Sequence, residues 1–389
     1  MCKIYIRKTF SMKIRYIILI CAAIAMMMFA CSGSNSKPSS SSDEYGFRHI
    51  TAAAERDKFC GWPANGGAWA WGDEIVVLFK QGVMKLKIRG HLIDSDIPET
   101  NVQARSIDGG ETWTLERDLH LEIDGTLPVK TLTEPIDFAH KDFALVFLKT
   151  SVSEGKTYFF LSSDRCKTWD GPYELPLFGE AFISARTCTL TEGQHEMLAF
   201  VSGAPKEGDE LGTHVFLIRT KDGGMNWEKV SDVGPVSDQT KWYIMPCVVR
   251  ISEKEIICGL RYCDESNGEQ EGLEIWASTD NGQTWEFRHR LASGSNPATL
   301  EYHDDRLILF YGNRIEPPLG IHARISRDKG KTWSQPIIVR DDAGSFDLGY
   351  PKNVYRNDGK GILFYYYTLL DPEADRTIEA TIWDPEKLK

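Results

Sequence analysis

The 389-residue sequence contains no Cys-x-x-Cys pair and no Cys/His cluster at zinc-ligand spacing, which excludes a zinc finger or ribbon. It also lacks a basic excess: 45 Lys/Arg face 56 Asp/Glu, a formal charge of −11. Residues 1–30 hold five basic residues and no acid, so their removal would leave a formal charge of −16. That balance argues against nucleic acid, and against a polybasic membrane surface, as partners. Nothing in the pattern calls for a metal or another cofactor.

What is present is a repeat. Ser278-Thr-Asp280-Asn-Gly282-Gln-Thr284-Trp285 has four counterparts, with Asp108, Asp164, Asp222 and Asp328 in the place of Asp280. Asp followed two residues later by Gly is tight-turn chemistry. The carboxylate accepts backbone N–H bonds, and Gly supplies a positive φ. Cys166 replaces the Gly in the second copy, so a distorted turn is expected there. The Trp is large enough to pack between neighbouring sheets. Successive Asp residues are 56, 58, 58 and 48 positions apart, a period suited to blades of about four short strands. These turns are staples, and their Asp residues are not expected to do chemistry.

The five stretches resemble the Asp-box repeats of the sialidase superfamily, over roughly residues 50 to 389. The resemblance implies an all-β fold, a six-bladed β-propeller across residues 46–389. Strand pairs upstream of the turns support the count. They are Gly66–Trp71 with Glu74–Phe79, Ala185–Leu190 with Glu196–Val201, Cys247–Ile251 with Glu255–Arg261, Pro297–Tyr302 with Arg306–Tyr311, and Pro351–Tyr355 with the run from Gly361. Blade two is blurred, around Phe138–Lys149. The sixth blade has no Asp turn, and its outer strands are expected to be Thr377–Trp383 and the N-terminal Phe47–Ala53, which closes the ring.

Ahead of the propeller, Lys13-Ile-Arg-Tyr16 precedes an apolar run ending in Phe29-Ala30-Cys31. It reads as a secretory signal over residues 1–30. Ala30-Cys31-Ser-Gly-Ser resembles a bacterial lipoprotein cleavage site, with Cys31 as the lipidated residue and a Ser-rich tether over residues 31–45. The expected location is the bacterial cell envelope, with membrane contact only through the lipid, and the expected state is a monomer. Six cysteines remain: Cys60, Cys166, Cys188, Cys247, Cys258 and Cys263. Either buried thiols or a Cys247–Cys258 bridge fits an exported chain.

In a propeller the residues before the first strand and after the second strand of each blade converge on one mouth of the channel. Those positions give Trp62, Asn65, His91, Asp94, Asp96, Arg186, Met245, Arg261, Asn313, Arg314, Asp347 and Tyr350. Arginines of this kind bind carboxylates through paired charge-assisted hydrogen bonds. The resemblance implies three such arginines, a nucleophilic Tyr with a Glu partner, and an Asp acid/base. Tyr350 matches the nucleophile and Arg261 the middle arginine, while Asp94 or Asp96 lies where the acid/base belongs. Asp347 is a further catalytic candidate. Arg186, Arg314, Trp62, Asn65, His91 and Asn313 are expected to contact substrate. The chain departs from the pattern at three places. Gly61-Trp62-Pro63 replaces an Arg-Ile-Pro motif, Met245 stands for the Glu, and the third arginine falls near Pro318. Arg314 or Arg186 is then the candidate to complete the clamp.

The reading that follows is an exported glycoside hydrolase acting on a terminal, acidic sugar of a glycan. Two alternatives stand beside it: a non-catalytic glycan-binding lipoprotein, and a uronate-specific glycosidase or polysaccharide lyase on the same scaffold.

Overall fold

The computed structural model describes residues 44–389 apart from 88–89, 152–153, 206–212, 237–239, 265, 267–269, 292–293 and 370–374. Cys31, the leader and the tether up to Asp43 lie outside the described residues. Six antiparallel sheets form the blades of a β-propeller. Blade three is Phe182–Thr191, Met197–Ala204, His214–Thr220 and Glu228–Val233, ordered from the channel outward. Blades four and five repeat this order from Lys241 to Leu291 and from Ser295 to Arg340. Second strands such as Arg306–Asn313 are buried along nearly their whole length, because each is covered by a blade on both faces. They therefore read as continuous apolar runs rather than alternating ones.

Blade one contains Gly67–Trp71, Glu74–Val83, Thr100–Ser106 and Thr114–Glu116, with Lys58–Gly61 paired onto the far end of Glu74–Val83. In blade six, Gly349–Tyr355, Gly361–Tyr367 and Thr377–Trp383 are completed by Arg48–Ala53, which pairs antiparallel with Thr377–Trp383. The two-ended closure expected from the sequence is therefore formed.

Blade two has three strands among the described residues: Ala144–Lys149, Thr157–Ser162 and Asp170–Glu174. Its Asp turn joins the last two, so the missing element is the inner strand. Residues 132–143 run instead beneath blade three, where Ile136 N–H donates to Gly223 O and Phe138 N–H to Gln194 O. The blurred sequence pattern has this cause.

All five Asp turns close alike. In blade four Asp280 Oδ1 accepts from Ser278 Oγ at 2.8 Å and from Thr284 N–H at 2.9 Å, and Oδ2 accepts from Thr284 Oγ1 at 2.6 Å. The second copy is not distorted. Cys166 takes up φ 61° itself and donates its N–H to Ser162 Oγ at 2.9 Å, as Gly110 does to Ser106 Oγ at 2.8 Å. Each Trp reaches the preceding blade, as in Trp113 on Phe364 and Trp285 on Phe200. Asn281 N–H donates to Lys254 O and Gly109 N–H to Asp73 O, so the Asp turns share the rim of the first hairpin turns, away from where the inner strands begin. All six cysteines of the propeller are free and buried. Cys247 faces Gly259, not Cys258, in the strand register, so that bridge is not formed.

Candidate functional site

The inner strands do not begin smoothly. Those of blades three, four, five and six each carry a register shift near their start. In blades four and six the shift spans Met245 (φ 56°) and Tyr350 (φ 54°), and in blade one Trp62 has φ 58°. Bulky side chains rarely occupy this left-handed region, which costs of order 1–3 kcal/mol per residue. Surrounding packing holds three of them, and all three line one cavity.

That cavity lies at the channel mouth, encloses about 270 Å³, and includes Trp62, Asn65, His91, Arg186, Met245 and Tyr350 in its wall. Tyr350 sits at the centre of the charges. Arg186 Cζ is 5.3 Å and Arg314 Cζ 5.7 Å from its ring centroid. Burial lowers the Arg186 pKa to about 10, and the nearby Arg261 charge adds to the drop, while Tyr350 opposes it through charge and a hydrogen bond. Arg261 reaches the same wall through Met245, its Nη1 lying 3.4 Å from Sδ, and its Nη2 bonds Glu271 at 2.7 Å. Its Nε is buried without a partner among the described residues. The three arginines therefore gather around Tyr350 and Met245, with Arg186 itself in the cavity lining.

Behind Tyr350 lies a second layer built on Asp347, whose side chain is fully buried. Oδ1 accepts from Tyr366 Oη at 2.6 Å and lies 2.7 Å from His91 Nδ1, while Oδ2 accepts from Leu92 N–H at 2.8 Å. Arg314 Nη2 adds a longer contact of 3.4 Å. Burial pushes this carboxyl up, but the His91 hydrogen bond and charge, with the Tyr366 and Leu92 bonds, hold it below the usual carboxylate range. An ionised Asp347 requires Nδ1 of His91 to carry the proton, which leaves Nε2 free to accept one. The imidazole meets Trp62 and Tyr350 edge-on, at ring distances of 4.9 and 5.9 Å.

Three candidates from the sequence stand elsewhere. Asp94 and Asp96 pair with Lys85 at 2.9 and 3.3 Å, and the Asp96 side chain is 88% exposed. Neither lines the cavity. Asn313 Nδ2 donates to Glu316 O and Pro318 O, which ties its own loop together. Trp62 and Asn65 do line the cavity, and each holds a buried polar atom without a partner, Nε1 and Oδ1 respectively.

The sequence reading missed Lys80, Glu99 and Lys149, which complete the wall. Lys80 lies within the second strand of blade one and Lys149 ends the second strand of its blade. The positional rule that found Arg261 would have found Lys149 had blade two been delineated. Glu99 carried no signal, since it sits in a long connection.

The model of the BNR repeat-like domain matches residues 126–365. The chain belongs to this family. No protein of curated function matches the sequence. Among solved structures, a protein of unknown function from Dyadobacter fermentans superposes with a TM-score of 0.65 at 22% identity, covering 87% of this chain and 98% of that one. The α-L-arabinofuranosidase Arb93A from Fusarium graminearum, in complex with an iminosugar inhibitor, gives 0.58 at 14% identity, covering 87% and 100%. Trypanosoma rangeli sialidase, in complex with the inhibitor DANA, gives 0.57 at 12% identity, covering 88% of this chain and 60% of that one. This BNR-repeat chain thus has a sialidase-like propeller fold, one that it shares with glycoside hydrolases.

Proposed function

We propose that the protein is a glycoside hydrolase that removes a terminal acidic sugar from a glycan, and that its substrate meets it outside the cytoplasm, with Cys31 as a lipid anchor. The observation that carries this reading is the placing of Arg186 and Arg314 against the Tyr350 ring, with Arg261 beside Arg186 and Met245. Charge-assisted hydrogen bonds from guanidinium groups are the strong way to hold a carboxylate. Arg186, which has no carboxylate partner among the described residues, also favours an anion over a neutral sugar.

In this reading Tyr350 Oη attacks or shields the anomeric carbon as the glycosidic bond breaks. A neutral phenol suits a centre whose own carboxylate would repel an anionic nucleophile. Met245 cannot act as the base that a Glu would supply. His91 is the group placed to move protons, since it lines the cavity and Asp347 holds its Nδ1. Asp94 and Asp96 would need their Lys85 pairs broken to take part.

One observation favours a second reading. Glu99 is the sole carboxylate lining the cavity among the described residues, while Tyr350, His91 and Arg186 are all present. That set also fits β-elimination from a uronate, with an arginine neutralising the carboxylate, His91 removing the α-proton and Tyr350 protonating the leaving oxygen.

The deciding experiment incubates the purified protein with sialyllactose and with uronate-terminated oligosaccharides and analyses products by chromatography. Release of a saturated acidic monosaccharide, abolished in Tyr350→Phe, is the expected result. An unsaturated product absorbing in the ultraviolet identifies the eliminase. Binding of these glycans with no product of either kind leaves a glycan-binding module and sinks the hydrolase.

A further inference from the structure

The cavity continues past Arg186. Because blade two has no inner strand among the described residues, the end of Ala144–Lys149 faces the mouth, and Phe147, Leu148 and Lys149 enter the wall beside Lys80, Glu99 and Asn101. A second hollow of about 630 Å³ begins at Lys80, Glu99 and Asn101 and runs outward past Leu121 to Arg117. Sharing those three residues, the two hollows are neighbours along one groove line at blades one and two.

In the inner hollow the charges do not balance, whereas the wall of the outer one sets Asp118, Glu122 and Asp124 beside Arg117. Lys149 Nζ makes no hydrogen bond or ion pair among the described residues. Lys80 has one long contact, 3.8 Å to Glu99. Arg186 stands next to them as a third cation. The groups that face Lys149 are thus Arg186 from blade three and Lys80 and Glu99 from blade one. Burial first, then Arg186 and Lys80, lower the Lys149 pKa to about 7, and burial lowers that of Lys80. Like charges held together in a half-enclosed site are unfavourable in the free protein and are relieved by an anion. A structural role would call for carboxylate partners, and the single Glu99 serves both lysines.

We propose that Lys80 and Lys149 form a second anion-binding subsite, which receives the carboxylate or sulfate ester of the sugar next to the one held at Tyr350. The proposal rests on reading the Tyr350 cavity as a sugar site. It makes the preferred substrate an oligosaccharide with acidic groups on two neighbouring residues. Binding must draw a proton onto Lys149 near neutral pH, so affinity falls as pH rises through about 7.

The first test titrates inorganic sulfate into the full-length protein carrying ¹³C-methylated lysines, with the Lys149 resonance assigned from Lys149→Arg. Sulfate is expected to shift that resonance and raise its titration midpoint. A resonance and midpoint that sulfate does not move overturn the proposal, whatever happens at Tyr350. The second test compares, by calorimetry, sialyllactose with its counterpart sulfated on the adjoining galactose, and galacturonate with digalacturonate. The doubly charged member of a pair should bind about tenfold more tightly, as one added charge-assisted hydrogen bond would give. The pair that shows the gain distinguishes a sulfate ester from a carboxylate. The gain should vanish in Lys149→Met and persist in Lys149→Arg without its pH dependence. Equal affinities within both pairs overturn the proposal. If sulfate engages Lys149 while none of the glycans binds, the subsite stands and the Tyr350 sugar site fails.

Discussion

His91 Nδ1 lies 2.7 Å from Asp347 Oδ1, joining blade one to blade six across 256 positions of sequence. The carboxylate also accepts from Tyr366 and from the Leu92 backbone, so one buried side chain fixes a loop, an imidazole and a phenol. Replacing it leaves donors unsatisfied in a place that water does not reach. Asp347→Asn should cost roughly 1–3 kcal/mol in chemical denaturation at neutral pH. Its folded pKa is depressed, so its contribution is full above the unfolded value of about 3.9 and is lost as pH falls through the folded value. The gap between wild type and variant should therefore close in acid. A variant as stable as wild type at pH 7 would show the network to be energetically idle.

Tyr350→Phe removes one hydroxyl and keeps the ring that packs on Tyr366 and His91. The melting temperature should barely change, while kcat on an acidic glycan should fall about 100-fold or more, the scale of a lost catalytic group. Retained turnover with unaltered kcat would remove Tyr350 from the chemistry.

Arg261→Met separates clamp from scaffold. Among the described residues its Nε is unpartnered and its Nη2 holds only Glu271, which is partly exposed. Affinity for an acidic glycan should drop about tenfold, the equivalent of one charge-assisted hydrogen bond, with affinity for neutral glycans unchanged. Equal losses for both classes, seen by calorimetry, would point to a general disruption of the site.

Asp280→Ala tests the reading of the repeats. Its carboxylate holds the turn of blade four through Ser278 and Thr284, far from Tyr350. The variant should lose roughly 1–2 kcal/mol of stability and keep the kcat/KM of the folded protein. The Thr284 hydrogen bonds bring the Asp280 pKa down to about 2, and the other four Asp turns shift the same way. That stabilisation is present above about pH 4 and is lost between there and pH 2. Acid unfolding followed by Trp fluorescence should fall in that window. A midpoint well above it would mean that other groups govern acid sensitivity.

The fold was legible because its signals are local. Five Asp-to-Trp turns, spaced by one blade each, repeat a single hydrogen-bond pattern, and Thr377–Trp383 alternates in sequence. Inner strands were read too short at Met245 and Tyr350, where a left-handed residue and a register shift interrupt the alternation. Tyr350, Arg186, Arg261 and His91 were found by position in the repeat. Lys149 was not, because blade two breaks the repeat, and Lys80 was not, because it lies within the second strand of blade one. The Asp94 and Asp96 loop shows the other limit. An acidic stretch in the right segment still needs three-dimensional partners, and Lys85 is the one it meets.

The pairing of Arg48–Ala53 with Thr377–Trp383 also sets an order of events in biosynthesis. A strand made early must wait, its hydrogen-bonding edge bare, until a strand made more than 300 residues later arrives. Blades three, four and five can each zip up from contiguous chain as it emerges. Blade six cannot, and Asp347 and Tyr350 belong to it. The cavity at Tyr350 is therefore the last thing to come into being. A product stopped short of Thr377 would hold most of its sheets and no finished pocket, with an open edge by which quality control could recognise it.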